Sequence, residues 1–282
     1  MYNKIPVLLH IPKNAGSYII QVLTKYFIRC KKNSSDLRVR RLTVETQNSN
    51  LTIFCHFLTN YWETDPNMKQ IAQRASSCKI STFFTYLKNQ QLEVLSIVVE
   101  PIEFSDMREG CFLAYKIIDL CKSEPFNFTI FRDCFARQQS LYYYLTSAAS
   151  SHEPSHNSIK EESFLDYIKS SSLEDSWLIR VLTSACPDTS LNKYWLQVAC
   201  NFLDSNNFLI TDIGETDSAL KHVIDECFDI PIAQIDLDNP FLNSTKIANK
   251  ITLEDLDAKT QKTFLSRTHW DRKIWERYCD NV

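Results

Sequence analysis

The chain has 282 residues, 44% of them hydrophobic, with a formal net charge of −3. That length and apolar content suffice for a sizeable core, and no Gly-, Pro- or Ser-rich linker divides the chain, so a single domain over 1–282 is expected. The charge excludes a general attraction to nucleic acid or an anionic membrane, leaving Arg38, Arg40 and Arg41 as a local basic cluster. No apolar run reaches the roughly 18 to 20 residues of a membrane span.

Residues 5–9 form a short apolar run that predicts a buried strand, and Ile19, Ile20, Val22, Leu23, Tyr26 and Phe27 recur at helical spacing after it. Between them, HIPKNAGSYI places Lys13 and a small-residue turn, with Ser17 near the helix start. The amide groups of Asn14, Ala15, Gly16, Ser17 and Tyr18 are expected to point outward beside the positive end of the helix dipole. Lys13 adds a full charge, which together predicts an anion site. An apolar strand follows in LTIFCHF, ending at His56, and another over 94–99 ends in Glu100. Residues 128–131 predict a further strand, with Arg132 at its C-terminal end, where an open parallel sheet keeps its ligands. The next helix, over 136–145, carries Ser140. A guanidinium fork and a hydroxyl suit a second phosphate, so the sheet is expected to hold a bis-phosphorylated ligand.

The stretches HIPKNAGS and RDCFARQQSLYYY resemble the two nucleotide-binding motifs of sulfotransferases that use 3′-phosphoadenosine 5′-phosphosulfate (PAPS). They are most similar to the heparan sulfate 2-O-type carbohydrate enzymes, in which the motifs read roughly HIPKTGGT and RDPxxRxxSxYYY. Lys13, Gly16, Ser17, Arg132, Asp133, Arg137, Ser140, Tyr142, Tyr143 and Tyr144 match; Asn14, Ala15 and Cys134 depart. A methyl group at Ala15 crowds the 5′-phosphate if that residue needs a positive φ. Weaker likenesses follow in the family's order. Ser176, Trp177 and Arg180 lie in EDSWLIRVL, with Ser176 where Asn is usual; Gly214 and Glu215 lie in a late strand, turn and helix; Asp271, Trp275 and Glu276 lie in a closing helix. The resemblance implies an α/β fold, a P-loop-like three-layer sandwich with a central, mostly parallel sheet flanked by helices. The segment from His56 to Arg132 is longer than the resemblance implies, and the region around 59–110 within it is expected to be an insertion that shapes the acceptor pocket.

The resemblance further implies sulfuryl transfer from PAPS to a hydroxyl-bearing acceptor, expected to be a carbohydrate, with 3′-phosphoadenosine 5′-phosphate (PAP) as product and no metal. Lys13, Asn14, Ala15, Gly16, Ser17, Tyr18, Arg132 and Ser140 form the cofactor site, and Lys13 stabilises the leaving phosphate electrostatically. The acceptor proton needs a base. His56 stands where these enzymes show a Gly-His pair, although Cys55 precedes it; Glu100, at a strand end, is the rival if burial raises its pKa. Asp133 and Arg137 read as structural braces, and one of the three tyrosines is expected in the core with another lining the pocket.

Two other enzyme readings and one non-catalytic reading stay open. HEPSH, with His152, Glu153 and His156, satisfies the zinc-protease pattern, but Pro154 and polar flanks argue against one helix face. A P-loop kinase-like enzyme lacks its G-x-x-x-x-G-K-[ST] pattern here, since the lysine precedes the glycine. A non-catalytic relative that keeps the nucleotide pocket is the third reading. The ten cysteines form no C-x-x-C pair and are expected as free thiols. Of the sequons at Asn33, Asn50, Asn127 and Asn243, Asn127 opens a strand that should be buried. Starting at Met1 and leading directly into a strand, the chain is expected to be soluble and cytoplasmic, an intracellular microbial or viral relative rather than an anchored enzyme. Nothing in it reports oligomeric state.

Overall fold

A computed structural model describes residues 4–30, 39–45, 49–57, 84–85, 87–89, 92–101, 107–146, 163–170, 173, 175–237 and 251–280. The strands are β1 (Lys4–Leu9), β2 (Val39–Glu45), β3 (Ser49–Phe57), β4 (Leu92–Pro101), β5 (Glu124–Phe131) and β6 (Leu209–Asp212). They form one sheet in the order β2-β3-β4-β1-β5-β6. β1 pairs in parallel with β4 and β5, and β5 with β6; β3 runs antiparallel to both its neighbours. The fold is therefore α/β with a mostly parallel sheet.

β1 explains why. Ile5, Val7, Leu8 and Leu9 are all buried, so both faces of the strand need cover, and an unbroken apolar run is what a central parallel strand requires. Leu8 joins a cluster with α1 (Gly16–Cys30) and a late helix over Thr216–Phe228, while Ile5, Val7 and Leu9 join the opposite cluster. That opposite layer includes α2 (Met107–Leu120), which carries the chain from β4 across β1 to β5. The helices thus sandwich the sheet.

The region 59–110 proves to be more than an inserted loop. It supplies β4, which lies in the middle of the sheet against β1, and the first residues of α2. Residues 58–83 within it, and the HEPSH residues His152, Glu153 and His156, lie outside the described residues. Asn127 is buried in β5 with its Nδ2 donating to the Asn206 carbonyl, which leaves no room for a glycan there. No helix among the described residues is long and apolar enough to cross a membrane.

Beyond the C-terminal edge of the sheet, α3 (Cys134–Thr146) packs with α4 (Phe164–Lys169) in a third cluster around Phe135, Tyr142, Phe164 and Tyr167. α5 (Trp177–Thr183) packs instead in the cluster of Ile5, Val7 and Leu9, and α6 (Lys193–Ser205) follows it; α7 is the Thr216–Phe228 helix, and α8 (Ala258–Arg267) and α9 (His269–Cys279) are the last described helices.

The segment resembling the family's Asn-containing stretch is a structural lock. Buried Asp271 of α9 accepts from the backbone N–H groups of Leu178 (2.9 Å) and Ile179 (2.9 Å), two orphan donors of the first turn of α5. Burial raises the Asp271 pKa, and those two amides together with Arg137 and Arg180 oppose the rise. Arg137 lies 4.3 Å over the Trp177 ring, and Arg180 donates from Nε to the Asp175 carbonyl and from Nη1 to the carbonyls of Cys186 and Thr189. Ser176 adopts a left-handed φ of 48°, and its hydroxyl donates to the Arg267 carbonyl while accepting from Trp270 N–H. Asp271 and Ser176 thus join α5 to α9 and the end of α8, while Arg180 ties down the segments on either side of α5.

Asp271→Ala leaves two buried amides without an acceptor and removes the charge that faces Arg137 and Arg180, so equilibrium urea unfolding should show a loss of about 3 kcal/mol. A loss below about 0.5 kcal/mol would mean that the lock is not stabilising.

Candidate functional site

The chain leaves β1 through α1 toward β2 on one side of the sheet, and leaves β5 through α3 toward β6 on the other. The gap between the C-terminal ends of β1 and β5 is therefore the topological switch point, where an open α/β sheet forms its ligand crevice. Lys13 follows β1 and Arg132 follows β5, so the sheet brings the two cations to one place. Arg132 Nη1 donates to the Lys13 carbonyl at 3.3 Å.

The turn after β1 is held open by its backbone. His10 N–H donates to the Val99 carbonyl at 2.8 Å, extending the β1–β4 ladder by one residue. Asn14 N–H closes a turn on the Ile11 carbonyl, and its buried side chain reaches across, Nδ2 donating to the Ile130 carbonyl of β5 at 2.7 Å. Asn14 is thus a strut between the two strands that bound the crevice. Lys13 (φ 70°) and Ala15 (φ 61°) both sit in the left-handed region. Ala15 is the position where the resembled motif has glycine, and its methyl group is carried there at a cost of about 1 kcal/mol.

Gly16 does not have a positive φ. Its role is space: a Cβ built on it would lie 1.9 Å from His10 Nε2. The imidazole therefore rests on the bare Cα at the head of α1. Its other nitrogen, Nδ1, is 2.6 Å from Glu100 Oε1. The pair follows from register. Leu9 is opposite Val99 in the parallel β1–β4 pairing, so the next residues, His10 and Glu100, emerge side by side.

This contact reverses the expectation for Glu100. Its pKa is lowered, chiefly by the hydrogen bond from His10; burial opposes the shift, and the charges of His10 and Arg41 add to it. An ionised carboxylate only accepts, so His10 Nδ1 carries the shared proton. Glu100 is an orienting group for His10 rather than a raised-pKa base. His56 is displaced altogether. β3 runs antiparallel to β4, and His56 pairs with Glu93, seven residues before Glu100 and so about 23 Å away along the strand. The backbone of His56 thus stands at the opposite edge of the sheet from Lys13; its side chain lies outside the described residues. His10, present in the motif but given no role by sequence reasoning, is the histidine in the crevice. The signal for it was that His10 and Glu100 are each the first polar residue after an apolar run.

Lys13 and Arg132 are half-buried. Burial lowers the pKa of Lys13 first and the nearby Arg132 charge lowers it further; burial also lowers that of Arg132, against the opposing pull of Asp133 and Asp212. Among the described residues neither cation has a carboxylate within salt-bridge distance. Asp133 is committed as the cap of α3, accepting from Ala136 N–H at 2.9 Å. Asp212 accepts from Gly214 N–H and from Trp275 Nε1. The Lys13 ammonium instead lies 4.2 Å from the centroid of the Tyr144 ring. Ser140, one turn before Tyr144 on α3, is buried on the same side of that helix. Tyr142 belongs to the core and Tyr144 to the site.

The N-terminus of α1 adds amide donors. The first N–H groups of a helix have no intrahelical acceptor, and neither α1 nor α3 has an acidic residue in its first turn. Ser17 is exposed at that end. Tyr18 points elsewhere: its hydroxyl donates to Asp217 of α7 at 2.8 Å, so its side chain braces α1 rather than reaching into the crevice. The arrangement can bind a polyanion, with an imidazole placed beside it.

No family model, curated protein or solved structure matches this chain.

Exchanging the small residues of the turn should have opposite effects. Ala15→Gly relieves the left-handed alanine, offset by the added freedom of the unfolded chain, for a net gain of about 0.5 kcal/mol. Gly16→Ala forces the imidazole off the helix and should cost about 2 kcal/mol by urea unfolding. Equal effects at the two positions would contradict the different roles assigned to them.

Proposed function

We propose that the chain is a PAPS-dependent sulfotransferase of P-loop-like architecture that sulfates a hydroxyl, on a carbohydrate by resemblance of its motifs. The observation that carries this reading is the like-charged pair at the switch point. Lys13 and Arg132 share one crevice at the head of α1, neither has a described carboxylate within salt-bridge distance, and each is desolvated. Two cations held that close in low dielectric repel each other, and an anion of high charge relieves the repulsion.

The residues fit the nucleotide. The first amides of α1 and the Lys13 ammonium suit a 5′-phosphate. Arg132 and the Ser140 hydroxyl suit a 3′-phosphate, with Asn14 fixing the distance between the two supports through its bond to Ile130. Bound PAPS supplies the sulfuryl group, and its 5′-phosphate is the leaving group. Lys13 then meets the negative charge that grows on the bridging oxygen, an electrostatic role that needs no covalent chemistry. The cation–π contact with Tyr144 gives the ammonium a resting place from which a phosphate can draw it.

Isothermal titration calorimetry tests the reading. PAP should bind at least ten-fold more tightly than AMP or ADP. Lys13→Ala and Arg132→Ala should each weaken PAP binding by about 10- to 100-fold, the worth of one charge-assisted phosphate contact, roughly 1.5–3 kcal/mol. Tighter binding of ADP, or no nucleotide binding by folded protein, would overturn the proposal.

A further inference from the structure

We infer that His10 is the general base of the transfer and Glu100 the residue that positions it, an inference that rests on the sulfotransferase reading. Three features of the pair carry it. First, the 2.6 Å contact with an ionised carboxylate assigns a proton to Nδ1, so that in the neutral imidazole the lone pair is on Nε2. Second, Nε2 is the nitrogen that lies against Gly16, at the head of the helix where the anion is held. Third, the pair is built by the sheet itself: His10 continues the β1–β4 ladder through its N–H bond to Val99, so neither partner depends on a loop. An imidazole oriented through one nitrogen by a carboxylate, with the other free to take a proton, is the arrangement of acyl-transfer triads.

The step balances as follows. His10 Nε2 takes the proton of the acceptor O–H while the acceptor oxygen forms its bond to sulfur. The bond from sulfur to the 5′-phosphate oxygen breaks, that oxygen keeps the electron pair, and Lys13 faces it. The imidazolium so formed is stabilised by the Glu100 carboxylate and later returns its proton to water. The charged group that bears on the pair is Arg41 of β2, which acts on Glu100. Glu100→Gln keeps a hydrogen-bond acceptor for Nδ1–H but removes the charge, which separates orientation from electrostatics.

The test uses the full chain and two readouts. Long-range ¹H–¹⁵N NMR, with His10→Gln to assign the signals, should show the Nδ1–H tautomer in wild type without any nucleotide. The Nε2 signal should shift on adding PAP. In parallel, release of PAP from PAPS is followed with water and with a heparan sulfate oligosaccharide mixture as acceptors. His10→Ala and His10→Gln should lower that turnover by about 10²- to 10⁴-fold while PAP affinity by calorimetry changes less than about three-fold. Glu100→Gln should lower kcat and leave KM for PAPS unchanged.

An Nε2–H tautomer overturns the inference. So does PAP binding without PAPS turnover by wild type, or turnover that is unchanged in His10→Ala; in these cases the donor reading stands and only the base assignment falls. A wild type that binds no PAP overturns the donor reading, and this inference with it, whatever the tautomer.

Discussion

The parallel pairing of β1 between β4 and β5 is the constraint on which the site depends. One register sets Leu9 opposite Val99, and the next step along both strands brings His10 to Glu100. The other register sets Leu8 opposite Phe128, so β5 ends two residues beyond the level of Leu9 and the turns after both strands lie at the same end of the sheet. The Asn14 bond to Ile130 and the Arg132 bond to the Lys13 carbonyl then tie those turns together. A shift of either register by one residue would also carry Val7, Leu8 and Leu9 to the wrong faces of a sheet covered on both sides, so burial of apolar side chains enforces the geometry of the crevice.

Electrostatics shapes the same place in the opposite sense. Burial desolvates Lys13 and Arg132, and the two carboxylates that act on Arg132 are employed elsewhere, Asp133 as a helix cap and Asp212 as acceptor for Gly214 and Trp275. The crevice therefore stores unfavourable like-charge proximity, which strained functional sites commonly do. Ala15 adds to it with a left-handed backbone that glycine would adopt more cheaply. A few hydrogen bonds inside the fold, such as those of Asp271 to α5, offset such costs at a distance from the site.

Local structure was legible in the sequence wherever one strand and one helix meet across a short turn. The strand–turn–helix units around Lys13 and Arg132 could be read from apolar runs followed by helical spacing, and the positive φ at Ala15 was foreseeable from the glycine it replaces. What the sequence could not convey was which strands lie side by side. Glu100 looked like a lone carboxylate because nothing in the chain announces that β4 adjoins β1. His56 looked well placed because a strand-end histidine reads the same whether its strand runs with the sheet or against it. The importance of Gly16 was visible but its reason was not: the requirement is contact with an imidazole six positions earlier, a matter of packing rather than of backbone conformation. The late likenesses at Trp177, Arg180 and Asp271 marked structural positions: Asp271 holds α5 against α9, Trp177 packs under Arg137 of α3, and Arg180 bonds the segments flanking α5.

The most direct test of the central claim is a crystal structure of the chain with PAP. The crevice described above predicts the 5′-phosphate at the N-terminus of α1, with the Lys13 ammonium moved from the Tyr144 ring to a phosphate oxygen and the 3′-phosphate on Arg132 and Ser140. A nucleotide bound away from the gap between β1 and β5, or one seated there while Lys13 stays on Tyr144 and Arg132 makes no contact, would contradict it.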